Sequence, residues 1–313
     1  MNTNKSFILK CAYILVASIL SSYASIARAA SLDIEQVAPN IYAIIGPLEQ
    51  RSELNLANNA TFGFIVSDEG VILIDSGGTL EGAKALERVI HTITPKPITH
   101  IINTGGQDHR WFGNHYFTEK GAVTITSTMT QADQQQRGSS QADNTARLTG
   151  PSWTGTEPHA AQKALSDSTR LEISGITLKI IPVGPAHTGG ETLVWLPKQK
   201  VLFSGDVVYV ERMLGIGSQS HHHEWIKAFE KIVELQPEII VPGHGHPTTL
   251  AIATQDTYNY LTFLRNEVSK LLQADEDISS ASAIDQSQFS YLKVYEQIKN
   301  RNAQRVFEEM EWE

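Results

Sequence analysis

"GVILIDSGGTLEGAKALERVIHTI", residues 70–93, changes its periodicity halfway along. The first half holds a continuous apolar run, Val71 to Ile74, closed by Asp75, Ser76 and a glycine pair, which is the pattern of a short strand ending in a turn. From Thr79 onward the apolar residues fall at Leu80, Ala83, Leu86, Val89 and Ile90, one face of a helix. Downstream, "ITHIIN" and "AVTITS" (122–127) return to the strand pattern, so the chain alternates strand, helix and strand, as an α/β layered fold requires. Upstream, "NIYAIIG" (40–46) and "TFGFIVS" (61–67) add β-like runs bounded by Gly, Asn or Ser. The second half repeats the scheme with "RLEI", "ITLKIIPV", "ETLVWLP" and "KVLFSGD", then a helix "EWIKAFEKIVEL" (224–235), then "EIIVPGHGHP". Two sheets packed together with helices outside satisfy both halves.

Residues 130–165 are polar and contain Gly and Pro. They are expected to form an excursion with some helix that overhangs a site, because long connections in a compact domain tend to be functional. The tail, from about residue 254, holds two helical segments; in the first, Leu261, Leu264, Val268, Leu271 and Leu272 make one apolar face. No solenoid repeat or low-complexity linker interrupts residues 30–313, which are expected to form one domain with a C-terminal helical extension.

The first 29 residues differ from the rest. Lys5 and Lys10 precede an apolar run from Cys11 to about Tyr23, and Ala27-Arg28-Ala29 offers an A-x-A cleavage site, so a secretory signal peptide and a periplasmic or secreted location are expected. Cys11 is the only cysteine, which leaves the mature protein without a disulfide, a thiolate ligand or a cysteine nucleophile. Loss of Lys5, Lys10 and Arg28 moves the formal charge from −9 to −12. An acidic exported protein is a poor partner for nucleic acid or an anionic membrane; a small-molecule substrate or a protein partner is expected.

Polar clusters follow the strand-like runs: Asp75 in "IDSGG", the stretch "GGQDHR" (105–110), His187 in "PAHTGG", Asp206 in "FSGD", and His244 and His246 in "PGHGHP". Strand ends are where α/β folds place ligand sites. Neutral His and ionised Asp are natural ligands for a cation such as zinc, and neighbouring glycines let the backbone turn several side chains toward one centre. Two or three His plus one carboxylate leave a coordination position open, which a catalytic metal needs.

In the order "VILIDSGG", "THIINT" with a loop ending in "GN", "GPAHTGGETLVWLP", "VLFSGDVV" and "IIVPGHGHP", the chain resembles the metallo-β-lactamase superfamily over roughly residues 40–250. The resemblance implies an αββα sandwich of two mixed sheets with helices outside, one or two zinc ions at the edge between the sheets, and mostly hydrolytic chemistry. It implies that Asp75 is a structural aspartate near the site floor, that His187 is a ligand of a first metal, Asp206 the bridging carboxylate and His244 a ligand of a second metal. The stretch around "VYVERMLGIGS" and the ending "NRNAQRVFEEMEWE" also resemble exported proteins called quinoprotein relay system zinc metallohydrolases.

Residues 103–114 depart from that pattern. The family writes N-T-H-x-H-x-D-H-x-x-G-N where this chain has N-T-G-G-Q-D-H-R-W-F-G-N, so that without gaps Gly105 and Gln107 replace the first two histidines, His109 the aspartate and Arg110 the last histidine. The first metal then retains His187 alone, whereas His109, Asp206 and His244 remain for one Zn²⁺ or, as an alternative, Fe²⁺. Arg110 is expected to disfavour a second cation and attract an anionic substrate group. A second register slides the loop by one, so that Asp108 and His109 serve as the family's own Asp-His pair. His109 is a ligand in either register; Asp108 is a ligand, or the catalytic carboxylate that orients water or protonates a leaving group. His187 is a fourth ligand or stabilises an oxyanion. The resulting expectation is an exported hydrolase that attacks an ester, thioester, lactone or amide through metal-bound hydroxide. The alternative is a metal-binding or catalytically degenerate accessory protein of a periplasmic quinoprotein redox system.

Overall fold

The computed structural model describes residues 32–313; the expected signal peptide lies outside the described residues. Seven strands form the first sheet in chain order: β1 (Asp33–Ala38), β2 (Ile41–Ile45), β3 (Thr61–Val66), β4 (Val71–Ile74), β5 (Ile98–Ile102), β6 (Val123–Ser127) and β7 (Lys163–Leu165). β1 to β4 pair antiparallel, and β4 to β7 pair parallel across the helix α1 (Leu80–Ile90) and the segments that follow. The second sheet runs β12-β11-β10-β9-β8, built from β8 (Thr169–Ile173), β9 (Ile176–Gly184), β10 (Glu191–Leu196), β11 (Val201–Tyr209) and β12 (Ile239–His244), with only β11 and β12 parallel. Both sheets are mixed, as the sequence predicts.

Side-chain alternation stacks the layers. In β4, Ile72 and Ile74 point inward to Leu178, Val194, Phe203 and Val241 of the second sheet, while Val71 and Leu73 point outward to Leu86 and Ile90 of α1. In the second sheet Phe203 faces inward and Leu202 outward. The outward side packs against α4 (His222–Leu235), α5 (Asn259–Gln273) and α6 (Tyr295–Met310) through Trp225, Phe229, Leu261, Leu264, Val306 and Phe307. The result is the αββα sandwich. At Gly63 the sheets approach so closely that a Cβ would stand 2.0 Å from the Phe203 ring, and only glycine fits there.

The polar excursion is more regular than its composition suggests. Two further helices bear on the site: α2 (Asp108–Trp111) and α3 (Thr128–Thr149), the latter a helix of 22 residues capped by Ser127, whose hydroxyl accepts from the Thr130 N–H. Its buried face is Thr130, Asp133, Gln134, Gly138, Gln141, Thr145 and Thr149, at helical spacing and entirely without large apolar residues. Hydrophobic periodicity is blind to such a face. The helix overhangs the site loop: Gln141 donates to the Gly106 carbonyl at 2.9 Å, and Thr145 donates to Asp108 at 2.6 Å.

Candidate metal centre

Strand ends of both sheets meet at one edge of the sandwich. β11 delivers Asp206, β12 ends at His244, and the loop after β5 turns into α2, which presents His109. The three are buried, and one donor atom from each lies within 4.8 Å of the others. His109 Nε2 is 3.3 Å from Asp206 Oδ2, and His244 Nε2 is 3.3 Å from Asp206 Oδ1.

Burial pushes His109 down to about 4, with the positive charges of Arg51 and Arg110 acting in the same direction. Burial likewise holds His244 well below the usual histidine value. For Asp206 burial alone would raise the carboxyl, but Arg110 and His109 hold it well below the ordinary range. At neutral pH the cluster therefore consists of two neutral imidazoles and one carboxylate, the protonation states that metal ligation needs.

His244 stacks on Tyr209 with ring centroids 4.4 Å apart; its Nδ1 has no partner, and its Nε2 meets Asp206 at 3.3 Å outside hydrogen-bond geometry. A buried polar atom left unpaired costs about 1–3 kcal/mol, and a metal ion on this ring would remove that cost. His109 is differently placed. Arg51 Nη2 donates to its Nδ1 at 2.9 Å, which puts the ring proton on Nε2. Ligation through Nε2 needs the other tautomer, and Asp108 Oδ1, 3.6 Å from Nδ1, is the acceptor at hand for the displaced proton. With that exchange the donor set fits one Zn²⁺ or Fe²⁺.

Arg110 does not reach toward substrate. It is fully buried beneath the cluster, where Nη2 and Nε donate to Asp206 at 2.7 and 3.2 Å, Nη1 donates to Asp75 at 3.0 Å, and the carbonyls of Thr61 and Gly243 accept at 2.9 and 2.8 Å. Burial pushes Asp75 up to about 6, against the opposing pull of Arg110 and Thr104. Arg110 thus ties the ends of the two sheets together and half-neutralises the floor. Asp206 still has lone pairs free, since a carboxylate offers about four acceptor sites.

Two other expected residues stand apart from the cluster. Asp108 Oδ1 accepts from Arg51 Nε at 2.8 Å and Oδ2 accepts from Thr145, so neither oxygen is free for substrate. Its carboxyl is buried, but Arg51 and His109 hold it well below the aspartate range, and it positions Arg51 and His109 rather than meeting a ligand. His187 lies outside the three-residue cluster; its Nδ1 donates to the Gly215 carbonyl at 3.0 Å, leaving Nε2 a bare acceptor on a ring that lines the cavity. Burial pushes His187 down to about 4. Of the remaining histidines, His222 is buried between Glu309 and Arg265 and anchors α6, while His246 is exposed and pairs with Glu211.

The place of the missing first histidine is filled. A Cβ on Gly105 would stand 2.3 Å from Glu191 Oε2, whose partner Oε1 accepts from the Thr188 hydroxyl at 2.6 Å. Burial raises the Glu191 carboxyl well above its ordinary value, aided by the charges of Asp206 and Asp133 and opposed by the Thr188 hydroxyl and Arg110. Gly105→Ala is expected to destabilise the protein by about 1–3 kcal/mol through overpacking. In Glu191→Ala the same substitution should cost almost nothing, and a chemical-denaturation double-mutant cycle with no coupling would refute the assignment.

Residues of the site that the motifs do not reveal are Arg51, Tyr209, Arg212, Glu191 and, on α6, Arg301. Arg51, Tyr209, Arg212 and Arg301 line a cavity of about 650 Å³ together with His109, His187 and His244. No sequence signal marks the arginines, because the fold brings them from distant parts of the chain, Arg301 from α6.

Residues 57–244 match the family model for the metallo-beta-lactamase superfamily, and the chain belongs to that superfamily. A beta-lactamase-like protein 2 homolog from Caenorhabditis elegans is 30% identical over 125 residues, 39% of this chain and 40% of that protein, so the chain spans less than half the length of that relative. Metallo-beta-lactamase type 2 from Elizabethkingia meningoseptica is 25% identical over 215 residues, 67% of this chain and 78% of that protein. Among solved structures, a metallo-beta-lactamase from Pontibacter korlensis superposes with a TM-score of 0.59 at 18% identity, covering 74% of this chain and 99% of the other. The protein therefore has the superfamily's metallohydrolase fold, with candidate metal-binding residues at the expected edge.

Proposed function

We propose that this protein is an exported hydrolase that holds one zinc ion through His109, Asp206 and His244 and cleaves an ester, thioester, lactone or amide bond in a small molecule. The supporting observation is the convergence of these three buried donors within 4.8 Å, with His244 Nδ1 unpartnered and neither His244 nitrogen in hydrogen-bond geometry. When bound, such an ion acts as a Lewis acid and lowers the pKa of water toward about 7.

The chain's own groups do the rest. His109 and His244 enter the site neutral, Arg110 fixes the orientation of Asp206, and Tyr209 fixes the His244 ring by stacking. His187 Nε2, a bare acceptor on the cavity wall, is placed to receive a proton or orient a substrate hydrogen-bond donor. Gln107, whose amide oxygen is buried without a partner, lines the same cavity and can hold a substrate N–H or a water. The relatives named as β-lactamases put a β-lactam among the substrates to test; Gly105 and Gln107 in place of two histidines argue against it as the preferred one.

One observation favours a second reading. Arg110 already pairs with Asp206 and Arg51 already donates to His109, so the cluster is largely satisfied by protein groups, as a catalytically degenerate accessory of a periplasmic quinoprotein system would be. Metal analysis of the mature protein after dialysis against zinc is expected to give about one ion per chain, the occupancy of a single three-ligand site. A chain without metal would sink the hydrolase. A zinc-loaded chain inert toward esters, thioesters, lactones and nitrocefin would favour the accessory. N-terminal sequencing of exported protein should begin at Ala30 if the leader is cleaved after Ala29.

A further inference from the structure

The cavity wall contributed by α6 lies outside the residues that match the family model. Ile298, Arg301 and Arg305 recur along one face of that helix and line the same cavity as His109, His187 and His244; Arg51 and Arg212 line it from elsewhere. Among the described residues no Asp or Glu lines it, although the chain carries a formal charge of −9. A cationic cavity in an acidic protein is a local arrangement that overall composition does not produce.

Not all four guanidinium groups are available. Arg51 is paired with Asp108, and Arg305 with Glu308 on its own helix. Arg212 is only 5% exposed, and its hydrogen bonds go to neutral oxygens: Nε to the Leu48 carbonyl at 2.7 Å, Nη2 to Gln50 Oε1 at 3.1 Å, and Nη1, at a long 3.4 Å, to the Met213 carbonyl. Among the described residues it forms no ion pair. Arg301 is exposed and, among the described residues, has neither a side-chain hydrogen bond nor an ion pair. Its guanidinium stands over Gly215, whose carbonyl holds His187: a Cβ built on Gly215 would be 3.6 Å from Arg301 Nη2. Burial, with the charges of Arg51 and Arg301, lowers the Arg212 pKa against the opposing pull of Tyr209 and Asp206; the cations act on one another across the cavity. A buried charge without a counter-charge is strongly destabilising, and an anion in the cavity would relieve it.

We infer that Arg212 and Arg301 form an oxyanion subsite facing the metal centre, and that the molecule processed there carries a carboxylate or phosphate group away from the bond that is cleaved. The second clause rests on the hydrolase reading; the subsite does not. Guanidinium forks suit carboxylate and phosphate alike.

The test is calorimetric titration of the mature, metal-stripped protein with phthalate and with phenylphosphonate, neither of which can be hydrolysed, and with neutral benzamide. One anion per chain is expected to bind, and benzamide not to bind. The tighter of the two anions identifies carboxylate or phosphate as the group preferred. Arg301→Gln is expected to weaken anion binding about tenfold, the loss that follows from one charged hydrogen bond, and Arg301→Lys to restore part of it. Arg212→Gln should act in the same direction, but Arg301 carries the test because its exposed side chain can be changed without threatening the fold. Arg170→Gln, on an exposed strand, serves as the unaffected control. The subsite is overturned if neither anion binds, if Arg301→Gln binds as well as the parent, or if binding appears only after zinc is restored, which would assign the anion to the metal. Anion binding in a chain that hydrolyses nothing when zinc-loaded would uphold the subsite and remove the hydrolase; hydrolysis without anion binding would do the reverse.

Discussion

The His244→Ala protein is expected to lose its metal while keeping its fold. In the parent, three donors converge, and His244 is the one whose Nδ1 has no partner and whose Nε2 meets only Asp206, at 3.3 Å and outside hydrogen-bond geometry. Arg110 holds Asp206 and, in the absence of an ion, Arg51 holds His109, so among the three donors His244 is the one least secured by hydrogen bonds within the chain. Removing a group that merely supports a ligand costs about 10–100-fold in metal affinity. Removing a ligand from a set of three should exceed that, lowering zinc affinity by more than about a hundredfold and hydrolysis with it. Alanine also withdraws a ring from the face of Tyr209; circular dichroism and a thermal melt in zinc-free buffer separate that packing loss from the loss of ligation. His187→Ala is the comparison, since His187 stands outside the cluster and its removal should leave zinc content unchanged. Equal zinc in parent and His244→Ala protein would end the three-ligand assignment.

Much of the sandwich was legible because it is written in period-two and period-three-to-four apolar patterns: Ile72 and Ile74 against Val71 and Leu73, and Leu80, Ala83, Leu86 and Ile90 on α1. What composition obscured was α3. Its buried face of Thr, Gln, Gly and Asp is held by hydrogen bonds to the Gly106 carbonyl and Asp108, groups that exist as partners only after the site loop has folded. The site divided along the same line. His109, Asp206 and His244 follow strands and carry recognisable chemistry, so residue type and position sufficed to bring them forward. Arg110 has equally recognisable chemistry, but what a guanidinium does depends on which carboxylates surround it. Asp75 and Asp206 are 131 residues apart in the chain and adjacent to Arg110 only because the two sheets end at one edge. The attraction for an anion expected of Arg110 passes instead to Arg212 and Arg301, which lack acidic partners among the described residues. The family core supplies the candidate metal ligands, and a helix beyond the matched residues supplies part of the cavity wall that faces them.

Arg110→Met is expected to be the most destabilising single substitution in the site. Methionine nearly matches the length of the arginine stem and fills its space, so the change isolates charge and hydrogen bonding from packing. Arg110 is fully buried and makes five hydrogen bonds, to Asp206, Asp75 and two carbonyls. Breaking a buried ion pair by removing one partner costs about 3–5 kcal/mol, because the remaining charge is left without compensation. Here two carboxylates would be left. The unfolding midpoint in urea should fall accordingly, and Arg110→Lys should recover little, since a single ammonium cannot reach both acids and both carbonyls. The loss has a pH signature. Burial holds Asp75 up at about 6, above the ordinary aspartate range, even with Arg110 beside it; without the cation its folded pKa rises further. A carboxyl whose folded pKa lies above its unfolded value contributes stability at low pH that is lost as pH rises through the folded value. The deficit of Arg110→Met relative to the parent should therefore be smaller at pH 5 than at pH 8. Zinc should narrow it, because a cation bound at Asp206 replaces part of the missing charge and stabilises the folded state by mass action. A purely steric role for Arg110 would give a deficit independent of both pH and zinc, and that result would remove it as the electrostatic floor of the site.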